Sequence, residues 1–262
     1  MKLGTLLLLL VMGQGLSGQD KKILMLMSAA DTLALDQGEK LRQTGVFLNE
    51  FYLAHKAMTQ AGYTVVFASP GGRTPAIDRE SLEGKYWKNA LEVREEALAF
   101  IQNDSAFYHP ISLEMALEGQ GDYIGMIVPG GQGLMVDLLF DGNIPLLLKG
   151  FARQRKPTGL ICHAPALLLT LPKEVHPYRG RKVNCVTPME EFVIERFIMK
   201  GRPQNRKIAK GLKRMGLKYR RGLPKANFAV RDGNLVSSQN PFSSHAFNKL
   251  YLEALEDYLE QK

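Results

Sequence analysis

The run Cys162-His163-Ala164-Pro165 sets a thiol beside an imidazole, the pairing that covalent catalysis by a thiolate requires. The apolar residues 158–161 predict a short strand ending at Cys162, so the thiol stands on a sharp strand-to-helix turn like the serine elbow of hydrolases. At such a turn the side chain is exposed at the strand tip, and the N-terminal end of the following helix favours the thiolate. Two other segments follow predicted strands: Gly130-Gly131-Gln132-Gly133 after residues 125–128, and Thr187-Pro188-Met189-Glu190-Glu191 after residues 183–186. Ligands of open α/β sheets bind beyond the carboxyl ends of the strands, where all three segments fall. The Gly130-Gly131 pair lets the backbone approach a substrate and offers N–H groups to a developing oxyanion. Position alone leaves a second reading open, with Cys162 a packed core thiol and the glycines a turn.

The elements that must hold these residues follow from periodicity. Residues 22–27 form a continuous apolar run, suited to a strand buried on both faces. Residues 46–61 carry Phe47, Phe51, Ala54 and Met58 at helical spacing and close at Gly62, and residues 64–68 form a second strand run. Strand, helix and strand with short connections make a βαβ unit with parallel pairing. The polar, helix-favouring stretch 80–121 reads as an insertion or cap over the sheet. Asp232-Gly233 between β-branched runs signals a hairpin, and residues 244–260 form an amphipathic closing helix. No repeat, low-complexity tract or linker interrupts this pattern, so residues 19–262 are expected to form one α/β domain.

The 262 residues are 45% hydrophobic, 23% charged and 8% aromatic, which excludes disorder, collagen-like repeats and a polytopic membrane protein. Residues 1–18 combine Lys2, an apolar run over residues 6–12 and a small, polar end, the layout of a secretory signal peptide. An exported protein is therefore expected, periplasmic or secreted. Two cysteines in such a protein would ordinarily pair, but a Cys162–Cys185 disulfide would disable the nucleophile, so two free thiols are expected. His55, His109, His176 and His245 show no metal-ligand spacing and read as solvated or locally bonded. The net charge of +8 is unevenly spread: residues 196–231 hold thirteen Lys and Arg and no acid, leaving the remainder net acidic. That segment is a solvated helical face, a docking site for an anionic surface or acidic partner, or a positive rim for carboxylate substrates. With only Phe197, Tyr219 and Phe228 as aromatics in it, nucleic acid is not an expected partner.

Five segments in order resemble the DJ-1/PfpI superfamily, most of all its Hsp31-like branch within the class I glutamine amidotransferase-like fold. They are Thr44-Gly45 with Glu50, Ala68-Ser69-Pro70-Gly71-Gly72 with Pro75 and Asp78, Val128-Pro129-Gly130-Gly131, Cys162-His163-Ala164-Pro165, and Gln239-Asn240-Pro241. The resemblance implies a flavodoxin-like three-layer sandwich with a mainly parallel sheet, a homodimer, and a cysteine enzyme without metal or organic cofactor. By the same resemblance Cys162 is the nucleophile, Glu50 the carboxylate against it and His163 the base. Glu191 is the acid that orients His163, with Glu190 as the alternative, and Gly130, Gly131 and Ala164 form the oxyanion and substrate-binding backbone. The implied activity is glyoxalase-III-like conversion of methylglyoxal to lactate, or deglycation, with a small carbonyl compound as substrate. The alternatives are a peptidase or amidase using the same Cys-His site, and an ATP-independent holdase chaperone or stress protein. This chain departs from the Hsp31-like pattern at Gln132, where His is common, and at Ala54-His55, where Pro is common.

Overall fold

The structure is a computed structural model that describes residues 21–262 except Asn89. The anticipated signal segment 1–18 lies outside the described residues. The order of elements is β1 (Lys22–Leu26), β2 (Thr32–Leu35), β3 (Lys40–Gln43), α1 (Leu48–Gln60), β4 (Thr64–Ser69), α2 (Leu91–Asn103), α3 (Ser105–Tyr108), β5 (Ile111–Ser112), α4 (Leu113–Glu118) and β6 (Tyr123–Val128). There follow α5 (Asn143–Arg153), β7 (Thr158–Ile161), β8 (Lys182–Val183), α6 (Pro188–Val193), α7 (Ile208–Arg214), β9 (Lys218–Tyr219), β10 (Ala229–Asp232), β11 (Leu235–Ser238) and α8 (Ser244–Glu260).

Seven strands form the central sheet in the order β10-β11-β7-β6-β1-β4-β5, parallel except for the β10–β11 hairpin at one edge. The most apolar strands occupy the middle: β1 is buried from Ile23 onward and β6 throughout, as expected where helices cover both faces. Helices α1 and α8 pack on one another and, with α2, cover β4, β6 and the hairpin edge, while α4, α5 and a 3-10 helix at Ala164–Thr170 form a second packed group. This is the flavodoxin-like α/β arrangement. Among the described residues, no helix is long and apolar enough to cross a membrane.

Helix α8 meets the sheet where the strands lack side chains. A Cβ at Gly125 of β6 would lie 2.5 Å from the Tyr251 hydroxyl, and one at Gly159 of β7 would lie 2.6 Å from the Phe247 ring. The Tyr251 hydroxyl, fully buried, donates to the carbonyl of Met126 (3.0 Å), so the polar tip of this ring is satisfied inside the core.

Four departures from the sequence reading have local causes. The β1-to-α1 connection is not short: the β2–β3 hairpin stands there, turned by Asp36, Gln37 and Gly38, all at positive φ. The hairpin fastens on residues 198–203, with Lys40 Nζ donating to the Lys200 carbonyl and Arg42 Nη1 to that of Ile198, both at 2.8 Å. Residues 183–186 do not add a strand to the main sheet. Only Lys182–Val183 is strand, paired with β9, because the Asn184 amide is taken by the Ser237 hydroxyl and the Val186 amide by the Cys162 carbonyl. The stretch 80–121 is more than a cap, since it supplies the edge strand β5. His55, expected to be solvated or locally bonded, instead packs on Phe100 with ring centroids 4.6 Å apart, and burial lowers its pKa to about 4. Gly159→Ala should cost about 1–3 kcal/mol in denaturant unfolding, because the new methyl must displace Phe247 and Tyr251 of α8.

Candidate active site

Three strand ends and one helix start converge at the carboxyl edge of the sheet. Strand β7 delivers Cys162 in the left-handed region, φ 58°, where a non-glycine residue is strained. The elbow is pinned on both sides: the Cys162 amide donates to the Ser238 carbonyl and its carbonyl accepts from the Val186 amide, each at 2.9 Å. Glu50, in the first turn of α1, points inward and is only 1% exposed, while Cys162 is 6% exposed. Gly130 closes the third side. Its amide donates to Glu50 Oε2 (2.9 Å), and a Cβ there would lie 2.4 Å from that oxygen and 2.7 Å from the Cys162 Cβ. Gly131 has φ 111° and would place a Cβ 2.1 Å from the Gly45 carbonyl, so only glycine fits at either position.

Burial dominates the electrostatics. It raises the pKa of Glu50 to about 8, against the opposing hydrogen bonds from the Cys162 thiol and the Gly130 amide. Burial also lifts the Cys162 thiol well above its usual value, helped by the charges of Glu50 and Glu190. His163 is driven the other way, to about 4, by burial. Between about pH 4 and pH 8 the three groups are therefore neutral. The proton that leaves first belongs to the thiol–carboxyl pair, which titrates as a unit. Among the described residues Glu50 Oε1 is buried without a hydrogen-bond partner, as suits a carboxyl that carries a proton to give.

His163 lies between two partners. Its Nδ1 is 3.2 Å from the Cys162 sulfur and its Nε2 is 2.9 Å from Nε2 of Gln132. With the Gln132 amide nitrogen facing the ring, Nε2 accepts, the ring proton sits on Nδ1, and that N–H donates to the sulfur. Gln132 thus holds the imidazole where an acid was expected. Glu191 does not reach it: successive residues of a helix face different ways, and Glu191 Oε1 accepts instead from the amides of Lys207 (3.0 Å) and Ile208 (3.4 Å) at the start of α7. Glu190 lines the cavity above Cys162 but is spent on loop structure. It forms a capping box with Thr187 and accepts from Asn240 Nδ2 and the Lys225 amide, both at 2.8 Å.

The backbone donors divide. Gly130 is committed to Glu50 and is not free for an oxyanion, whereas the amides of Gly131 and His163 have no acceptor among the described hydrogen bonds. Ala164 opens the 3-10 helix with its side chain fully buried, so it contributes backbone only. Both cysteines are free, and Cys185 is a core thiol with no exposure. Above the nucleophile is a cavity of about 150 Å³, its floor formed by Cys162, His163, Gln132 and Gly131. Its aromatic wall, Phe47, Tyr86 and Phe242, offered no sequence signal, because these residues come from separate connections. Among the described residues, no cluster of three or more His, Cys, Asp and Glu has an arrangement that could hold a metal.

Glu50 holds its proton to about pH 8 when folded, whereas a free glutamate loses it near 4.5. Stability from this difference is complete below pH 4.5 and is lost as the pH rises through 8. Thermal unfolding at a series of pH values should show wild type losing stability relative to Glu50→Gln across that window. Parallel curves would mean that Glu50 is ionised in the folded protein.

Comparison with known proteins agrees with this architecture. The family model described as "DJ-1/PfpI family" matches residues 43–254. The glutathione-independent glyoxalase hsp3102 of Schizosaccharomyces pombe is 23% identical over 228 residues, covering 82% of this chain and 90% of that protein. The protein/nucleic acid deglycase HchA of Escherichia coli is 25% identical over 236 residues, covering 87% and 79% respectively. The crystal structure of glyoxalase III from Candida albicans superimposes with a TM-score of 0.74 at 20% identity, over 90% of this chain and 98% of that one. With its elbow cysteine, its buried helix-one carboxylate and a family match running through nearly all its sheet, the chain belongs to the DJ-1/PfpI family.

Proposed function

We propose that this protein is a cofactor-independent cysteine enzyme that converts 2-oxoaldehydes to 2-hydroxy acids without glutathione. The observation that carries the reading is the burial of Cys162 against Glu50 at the elbow, which raises the pKa of Glu50 to about 8 and lifts the thiol well above its usual value. Once the pair has lost one proton, transfer of the other from sulfur to the carboxylate gives a thiolate beside a protonated carboxyl. The thiolate attacks the aldehyde carbon, and the Gly131 and His163 amides receive the new oxyanion. Glu50 protonates that oxygen, giving a hemithioacetal. As a carboxylate it then removes the hydrogen from the former aldehyde carbon and returns it to the neighbouring carbon through an enediol. The product of that transfer is a thioester. Water hydrolyses it to the 2-hydroxy acid and frees the thiol, so one water is consumed overall. The Nδ1–H of His163 stabilises the thiolate at both ends of the cycle.

The relatives named glyoxalase and deglycase support carbonyl chemistry of this kind. A cysteine hydrolase of C–N bonds draws less support, because its histidine must accept the thiol proton, and here Gln132 occupies the imidazole lone pair. Lactate should form from methylglyoxal in the absence of glutathione, and Cys162→Ala should lower the rate about a thousandfold or more. Equal rates in the two proteins would overturn the assignment of Cys162. In wild type kcat/KM should rise with pH through about 8, as the pair loses its proton. A profile flat from pH 6 to 9 would exclude that ionisation as the activating one.

A further inference from the structure

The cavity above Cys162 is lined very differently from what a three-carbon, mostly polar substrate needs. One wall is aromatic, with Phe47 edge-on to Tyr86 at 4.9 Å and Tyr86 beside Phe242 at 5.9 Å. A second, aliphatic part of the lining comes from α6 and the π-helical turn Ile194–Ile198 after it, and brings Val193, Ile194 and Ile198. The polar side chains around it are already engaged. The Tyr86 hydroxyl donates to Glu80 (2.9 Å), Arg42 is bound to the Ile198 carbonyl and lies 3.9 Å from Glu80, and Glu190 is held by Thr187 and Asn240. Lys225 is exposed at the rim. Among the described residues, free polar capacity is concentrated at the floor, in the Gly131 amide and in Gln132 Oε1, which is buried without a partner there. A two-carbon dicarbonyl unit satisfies that floor and leaves the walls facing water.

We infer that the substrate is a 2-oxoaldehyde bearing a bulky apolar substituent, aryl or branched alkyl, which packs against the Phe47–Tyr86–Phe242 wall and the Val193–Ile198 wall while its dicarbonyl end meets Cys162. This inference rests on the proposed carbonyl chemistry and names its substrate class. The size agrees: a cavity of about 150 Å³ is of the volume that holds a benzene-sized group. The driving force is the apolar area removed from water on both walls, which a hydrogen or methyl substituent leaves unused. The engaged state of Arg42 makes the same walls a poor host for a carboxylate.

The test compares initial-rate kcat/KM for glyoxal, methylglyoxal and phenylglyoxal. Phenylglyoxal should exceed glyoxal by tenfold or more, mainly through a lower KM. Val193→Asn, at a position 38% exposed where a polar side chain does not disturb the core, should reduce that ratio at least threefold. Equal kcat/KM for the three aldehydes would overturn the inference and leave the proposed function standing. If none of the three is turned over, the proposed function fails, and alkylation of Cys162 decides the inference by itself. N-benzyliodoacetamide should then modify Cys162 at least tenfold faster than iodoacetamide, each rate taken relative to the same reagent with free glutathione and the site assigned by mass spectrometry. Equal relative rates would overturn it.

Discussion

The contact between a buried carboxyl and a buried thiol organises this protein. Taking Glu50 out of water makes its charged form costly, so the group stays protonated far above the usual glutamate range. That choice propagates outward. A protonated carboxyl can lie against Cys162 without repulsion, can donate where an ionised one only accepts, and leaves the site uncharged until one proton is lost from the pair. The same dryness keeps His163 neutral, so the thiol is flanked by two neutral hydrogen-bonding groups. Gly130 makes the contact sterically possible, since any side chain there would fall on Glu50 and Cys162 together.

Such a site is held against its own tendencies. Cys162 sits at a backbone angle that costs about 1–3 kcal/mol for a residue with a side chain, and the unpartnered oxygens of Glu50 and Gln132 forgo hydrogen bonds that water would supply. The sheet bears these costs because the elbow is tied at both its amide and its carbonyl, and because β1, β6 and β7 around it are packed without exposed apolar surface. Local strain at the nucleophile and continuity of the core beneath it are two sides of one arrangement.

Much of this was legible in the amino-acid order because local patterns coincide with global ones. The apolar runs of β1, β4, β6 and β7, the Asp232-Gly233 hairpin and the amphipathic α8 each carry a signal that tertiary structure does not override. Cys162 and Gly131 could be singled out because an elbow thiol and a paired glycine leave motifs, whereas Glu50 was legible only through the family resemblance. The partner of His163 could not. Glu190 and Glu191 have the right chemistry and the right distance along the chain, but which way a short helix turns each one is decided by what it packs against. Asn240 and the Lys225 amide claim one, and the start of α7 claims the other. Gln132 attracted attention only as a departure from the family pattern, and its role emerges from a contact across 31 positions. The β2–β3 hairpin was missed for a related reason: its pairing leaves Leu41 facing outward, so no clean alternation marks it.

The same hairpin separates two properties that many enzymes keep entangled. Arg42 and Lys40 hold residues 198–200, which end one wall of the cavity, while the elbow of Cys162 is held by β11 and residue 186. The chemical step and the choice of molecule therefore hang from different parts of the backbone. Substitutions in the hairpin or in the wall it braces can change what the protein accepts while leaving the strained cysteine and its carboxyl as they are, which gives a lineage of such proteins room to diversify in diet without relearning the reaction.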